Sequence, residues 1–270
     1  MTDIAAFAAF ERAVHDRIAE SYHAAFSPVT EQAHVPLLAA AAVAARDRVL
    51  DVASGPGVLA AKAQGRGAVV TGVDLSPRMV ELASRLHPAV TFREANAEDL
   101  PFANGQFDVI LSGFGIGHFA APDRAFAEFH RVLAPGSRLA VAWWAPPEQS
   151  RINGLFFEAL RDAQITPPTS LPPGPNTFLF SDERQLHEAL KRAGFSAITT
   201  TRHEGHHRLP DFESLWSLAR GSFARLGTII ESLDDGARQR FKAAAARRAS
   251  AYGSGPLDIP IAFDVTTATR

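Results

Sequence analysis

Cysteine is absent from the 270 residues, which excludes disulfides, thiolate nucleophiles and thiolate metal sites. An excess of one charge is also missing. The 27 Lys and Arg stand against 29 Asp and Glu, a net of −2, so nothing attracts nucleic acid electrostatically. No run of about 18 apolar residues occurs, and no membrane span is expected. Asp3 and Glu11 stand where a signal peptide has a basic start and an apolar stretch, so none is expected. The cytoplasm is the default compartment. Tyrosine is scarce, at two residues against 19 Phe, so the aromatic weight lies on a side chain with no polar handle. That fits an apolar core or pocket lining. Hydrophobic content of 46% with 21% charged residues describes a globular chain, long enough for one large α/β domain or two small ones.

The chain is organised around Val49-Leu50-Asp51-Val52-Ala53-Ser54-Gly55-Pro56-Gly57-Val58-Leu59-Ala60. An apolar run, a Gly-Pro-Gly turn and a helical segment read as strand, tight loop and helix. Glycines there let backbone approach a ligand, at the strand end where open α/β sheets bind. Gly55-x-Gly57-x-x-Ala60 formally fits the dinucleotide fingerprint. Pro56 weakens that fit, because proline removes an N–H from a turn meant to face a pyrophosphate. Asp51 suits S-adenosylmethionine (SAM) better, which carries an ammonium, a sulfonium and a ribose but no phosphate.

Before that turn, Ile4, Phe7, Val14, Ile18 and Tyr22 recur at helical spacing. The pattern predicts a helix from Asp3 to about Phe26, a break near Ser27-Pro28, and a second helix from Glu31 to Ala45. After it, strands are expected at about 48–52, 68–73, 90–94, 107–111 and 138–144, with helices between them. Asp74 closes the second strand, placed to accept hydrogen bonds from a ribose diol. Glu98 and Asp99 follow the third strand, and either is placed to read an adenine amino group. Ser112-Gly113-Phe114-Gly115-Ile116-Gly117-His118 follows the fourth, where three glycines mean a close backbone approach or a sharp bend.

Taken together, Leu50 to Gly57, Gly72-Val73-Asp74-Leu75-Ser76, Ala97 to Phe102, and Phe107-Asp108-Val109 with Arg131 to Ser137 resemble the class I SAM-dependent methyltransferases. The likeness is to the small-molecule branch that includes ubiquinone and menaquinone biosynthesis methyltransferases (methyltransferase type 11-like), and it covers roughly the first half of the chain. It implies a Rossmann-like, seven-stranded, mostly parallel α/β sheet with N-terminal helices and helical lid insertions. The expected organisation is a single domain: a helical segment over 1–46, a SAM-binding core over 47–147, lid insertions over 148–180 and 208–256, and a last, antiparallel strand over 257–270. One departure is Ala53, where many members have the loop's first glycine.

The resemblance also implies roles. Asp51 and the backbone of Ala53, Ser54, Gly55 and Gly57 surround the methionine moiety and ribose. Asp74 takes the ribose hydroxyls, Leu75 and Met79 lie against adenine, and Ala97 and Glu98 flank its edge. Ser112 and Gly113 border the methionine portion, and Tyr22 resembles an N-terminal aromatic that closes over SAM. For proton abstraction from an acceptor, His118 is the first choice. His203, His206 and His207 are placed after a short sixth strand at 197–201, as loop residues without a metal pattern; no metal is expected. His15 and His23 read as helix-surface residues. Trp143, Trp144, Phe114, Phe119, Phe156, Phe157 and Phe178 are candidates to line a pocket for a small-molecule methyl acceptor. A homodimer is compatible with the sequence. The competing readings are a protein of this fold that binds SAM without transferring its methyl, and an NAD(P)-dependent oxidoreductase.

Overall fold

Short β-branched runs alternate with amphipathic helices through the first half, and each helix returns the chain so that successive strands run parallel. The structure, a computed structural model, describes residues 3–270. Strands β1 (Arg48–Val52), β2 (Val69–Asp74), β3 (Thr91–Glu94), β4 (Phe107–Gly113), β5 (Leu133–Trp144), β6 (Ser196–Leu209) and β7 (Leu257–Thr269) form one sheet in the order β3-β2-β1-β4-β5-β7-β6. All pairings are parallel except those of β7, which runs antiparallel to β5 and β6. The expected seven-stranded, mostly parallel architecture is the one observed. Val49, Leu50, Val109, Ile110, Leu111, Leu139 and Ala140 are fully buried, because helices cover both faces of the sheet.

The chain leaves β1 toward β2 on one side and returns to β4 on the other. That reversal opens a crevice at the carboxyl ends of β1 and β4, the usual ligand position in such sheets. Three helices around it matter most: α4 (Val58–Gln64) after the glycine turn, α5 (Pro77–Leu86) after β2 and α6 (Pro122–Val132) after β4. Ser76 caps α5, accepting from the Met79 amide at 3.1 Å, with Pro77 in the first turn.

The N-terminal region departs from expectation. Helix α1 (Ile4–Ser21) does not break at Ser27-Pro28. A π turn (Tyr22–Phe26) carries it into α2 (Ser27–Thr30), and Pro28 falls in that helix's first turn, where its missing N–H is not needed. The next helix is also shorter than expected. A 3₁₀ turn (Glu31–Ala33) leads into α3 (His34–Ala40). Ala42, at φ 46°, closes it, with the Val43 amide on the Leu38 carbonyl and the Ala42 amide on that of Ala39, a Schellman closure.

α1 lies over the crevice because it is pinned there. Asp16 accepts from the Ser76 hydroxyl at 2.6 Å and the Arg78 amide at 3.2 Å, which ties α1 to the start of α5. On its other side stand α9 (Phe212–Ser222) and α10 (Ala224–Ser232), where Arg17 pairs with Glu231 at 2.9 Å. The segments 148–180 and 208–256 contribute α7 (Arg151–Asp162) and, after α8 (Glu183–Arg192), the group α9, α10 and α11 (Asp235–Ala249).

β6 is far longer than the 197–201 expected. It pairs with β7 from Ser196 opposite Thr269 to Leu209 opposite Leu257. Its residues are mostly polar because it is an edge strand, so its composition imitates a loop. His203, His206 and His207 are therefore strand residues, not loop residues. His203 stacks on Phe263 at 5.5 Å, and His206 Nδ1 lies 3.1 Å from an Asp258 oxygen. α6 likewise ends at Val132, before Pro135-Gly136, because Leu133 already pairs with Phe107. Among the described residues, no helix is long and apolar enough to cross a membrane.

Candidate active site

The crevice holds a cavity of about 380 Å³. One end is polar and lies at β1, β2 and the loop after β3, lined by Ala53, Gly55, Asp74, Leu75, Met79, Ala97 and Glu98. The other end is aromatic, where Phe7, Phe26, Phe157, Phe178 and Phe223 face Trp143 and Trp144. A smaller recess of about 40 Å³ adjoins it, between the Ala53–Pro56 turn and the helices before β1. Tyr22, Ala53, Gly55 and Gly113 line both.

Asp74 is 9% exposed, and burial pushes its carboxyl up. Each oxygen accepts one amide, from Gly55 at 2.8 Å and from Ser76 at 2.9 Å, so it fixes the glycine turn while facing the cavity. Asp51 is 1% exposed, and neither of its oxygens has a hydrogen-bond partner. Burial pushes it up to about 8; the Ala60 amide in the first turn of α4 pulls the other way, and the nearby Asp74 adds to the rise. Ser54 Oγ, Ser112 Oγ and His34 Nδ1 are buried and unpartnered as well. Asp51, Ser54 and His34 line the recess, and Ser112 precedes the lining residue Gly113. Burial drives the His34 imidazole down to about 3, so it is neutral.

The sequence-derived residues thus divide. Tyr22, Ala53, Gly55, Asp74, Leu75, Met79, Ala97, Glu98, Gly113 and His118 line the main cavity, and Asp51 and Ser54 line the recess. Gly57 and Ser112 line neither. Gly57 has φ 82°, and a Cβ there would stand 2.5 Å from the Phe92 ring, so this glycine serves helix–strand packing. Of the acidic pair after β3, Asp99 is exposed. Glu98 is buried, and its Oε1 caps the start of α6 by accepting from the Ala121 amide at 2.8 Å. Tyr22 stands edge-on to Phe26, and burial pushes its hydroxyl up to about 12. Phe156 is not a cavity residue. It is 1% exposed and packs on Phe223 and Phe241 in the core.

The glycine run after β4 is shaped by packing. A Cβ on Gly117 would meet the Trp143 indole at 2.0 Å, and that indole donates to the Thr177 carbonyl at 3.0 Å. Gly117→Ala is expected to cost about 1–3 kcal/mol of unfolding free energy, read by urea denaturation, because the ring must move off its partner. Unchanged stability would mean the indole has room to shift.

His118 brings in residues that the sequence did not single out. Its Nδ1 lies 2.9 Å from Glu11 Oε2, across 107 residues of sequence. His15 is not the surface residue expected. Its Nδ1 lies 2.8 Å from the Glu11 carbonyl oxygen, and its ring stands edge-on to His118 at 5.1 Å. Glu11 was detectable: Phe7, Glu11, Val14 and Ile18 share one helical face, so a carboxylate occupies a core-facing position. Arg225, on α10, also lines the cavity and donates to the Pro172 carbonyl at 3.3 Å. Glu11, His15 and His118 each place one ligand-type atom within 4.8 Å of the others.

A family model described as Methyltransferase domain matches residues 50–141. A demethylmenaquinone methyltransferase of Chlorobaculum parvum is 48% identical over 90 residues, 33% of this chain and 37% of that protein. The match therefore spans well under two thirds of that relative's length. A demethylmenaquinone methyltransferase of Symbiobacterium thermophilum is 31% identical over 215 residues, 69% of this chain and 84% of that protein. The crystal structure of the YcgJ protein of Bacillus subtilis superimposes with a TM-score of 0.59 at 19% identity, over 89% of this chain and 98% of that one, which is a likeness of fold.

Proposed function

The chain belongs to the class I SAM-dependent methyltransferases, whose cofactor is S-adenosyl-L-methionine, and we propose that it methylates a hydrophobic or aromatic small molecule in biosynthesis of a cofactor or secondary metabolite. The carrying observation is the single cavity with a polar end at β1–β2 and an aromatic end beneath α1, α7 and α10, with His118 on its wall. The names of the relatives point the same way, to a quinone-type acceptor.

The residues present fit SAM. The recess beside the main cavity concentrates buried polar groups without partners, Asp51, Ser54 and His34, as an ammonium and a carboxylate require. Asp51 would hold the ammonium, and His34 is a neutral donor or acceptor for the carboxylate. Asp74 would take the ribose hydroxyls, and Leu75, Met79 and Ala97 would enclose the adenine. When bound, SAM would supply a methyl already activated on a sulfonium. The protein's part is to align the acceptor, exclude water and accept its proton. The helices of 148–180 and 208–256, with α1, act as the lid that shapes the acceptor chamber.

Calorimetric titration of the full chain with SAM, S-adenosylhomocysteine and NADH tests the cofactor. Binding of the first two and not the third is expected; binding of NADH alone would overturn the reading. A screen with labelled SAM then identifies the acceptor, and SAM binding with no acceptor methylated would favour a non-transferring protein. Asp74→Ala is expected to weaken SAM binding by about 1–3 kcal/mol in the same titration. An unchanged dissociation constant would remove the ribose assignment.

A further inference from the structure

We propose that Glu11 is a positioning residue: its carboxylate, delivered from above by α1, holds the His118 imidazole with Nδ1 protonated and leaves Nε2 as the basic atom. The inference rests on the reading that this cavity is where methyl transfer occurs. It also narrows the acceptor to one whose nucleophile must lose a proton.

Glu11 is 5% exposed, and among the described residues only histidines stand within ion-pair distance of it. A buried carboxylate without a cation is costly unless donors satisfy it. Two histidine rings are in reach, and their hydrogen bonds fix their tautomers. His15 Nδ1 lies 2.8 Å from a carbonyl oxygen, which only accepts, so that nitrogen carries the proton. His118 Nδ1 lies 2.9 Å from a carboxylate oxygen and carries its proton for the same reason. Each neutral ring then has its lone pair on Nε2. Trp143 and His15 stand edge-on to His118, at 5.8 Å and 5.1 Å, and limit its rotation.

The same three side chains invite comparison with a two-histidine, one-carboxylate metal site. The hydrogen bonds argue otherwise. A metal on either Nδ1 would have to displace a proton already engaged with an oxygen of Glu11. Both Nδ1 atoms thus have oxygen partners without a cation.

The titratable groups facing His118 are Glu11 and His15 on α1 and Asp74 at the end of β2; Arg225 on α10 faces Glu11. Burial alone would push the imidazole down, but Glu11, aided by Asp74, holds it above its ordinary value. Burial would also push the Glu11 carboxyl up, and the two histidines and Arg225 hold it below. When the acceptor hydroxyl gives its proton to Nε2, the Nδ1 proton stays on the ring. The imidazolium that forms is paired with the carboxylate, and no proton passes to Glu11.

The test is nitrogen-detected NMR of the full chain without ligand, with the His118 resonances assigned by their loss in His118→Gln. In the wild-type protein the neutral ring is expected to carry its proton on Nδ1. In Glu11→Gln, which keeps size and an acceptor oxygen, the His118 titration midpoint is expected to fall by about one pH unit or more. An Nε2-protonated ring in the wild type, or an unmoved midpoint in a folded Glu11→Gln, would overturn the proposal. So would stoichiometric Zn²⁺ binding that strips both Nδ1 protons, which would make the cluster a metal site. The wild-type tautomer needs no variant to fold. None of these readouts uses SAM, so failure of the cofactor titration is seen separately.

Discussion

His118→Ala is expected to lower turnover by ~10²-fold or more while SAM affinity stays within about twofold. A positioned base contributes that much when the acceptor must lose a proton as it attacks. The site separates the two effects. The groups assigned to SAM lie at β1, β2 and the recess, whereas His118 sits against Trp143 and Glu11 under α1. Single-turnover methyl transfer from labelled SAM to the acceptor found by screening checks it, with calorimetry on the same variant for SAM. Wild-type turnover would make His118 a structural residue. The pH profile carries the sign. The base works unprotonated, so rate should rise with pH through the His118 value, and Glu11 sets that limb above the ordinary histidine range.

Asp51→Asn is expected to make the ligand-free protein more stable and to weaken its SAM binding by about 10- to 100-fold. Asp51 sits in the fold at about 8, against 3.8 when free. Between those values the folded chain keeps a proton that the unfolded chain releases. Stability is therefore full below the free value and is lost as pH rises through the window toward 8. Asparagine mimics the protonated acid and does not titrate. Its melting temperature should exceed the wild type's by at least ~2 °C at pH 8, and the gap should close near pH 4. SAM affinity moves the opposite way, because the ammonium needs the carboxylate. Binding at pH 7 should release about one proton in the wild type and fewer in the variant, read by calorimetry in buffers of different ionisation enthalpy. Equal melting curves across pH would show that Asp51 is already ionised before SAM arrives.

The groups proposed to hold SAM could be picked out in the sequence because they sit at fixed offsets from strand ends. Asp51 is the penultimate residue of β1 and Asp74 the last of β2, and the turn between β1 and α4 follows directly, so short segments carry both identity and position. Gly57 and Ser112 line neither cavity nor recess: Gly57 packs against Phe92, and Ser112 is fully buried. The aromatic end of the cavity was legible only in part. Trp143, Trp144 and Phe178 end on the cavity, but Phe156, next to the lining residue Phe157, faces the core, because one residue along α7 turns a side chain through about 100°. The β6 histidines misled because an edge strand paired on one side has the composition of a loop.

The family and its SAM cofactor were readable through a resemblance carried by four short motifs at fixed spacing, and the alternation of strands and helices in the first half through local periodicity. Tertiary structure alone decided that α1 lies across the crevice, that Glu11 reaches His118, that His34 completes the recess and that α10 brings Arg225 to the cavity. Those pairings join side chains far apart along the chain. Their distances are set by how helices pack on a finished sheet, through contacts such as Asp16 on the first turn of α5, and no local pattern encodes them.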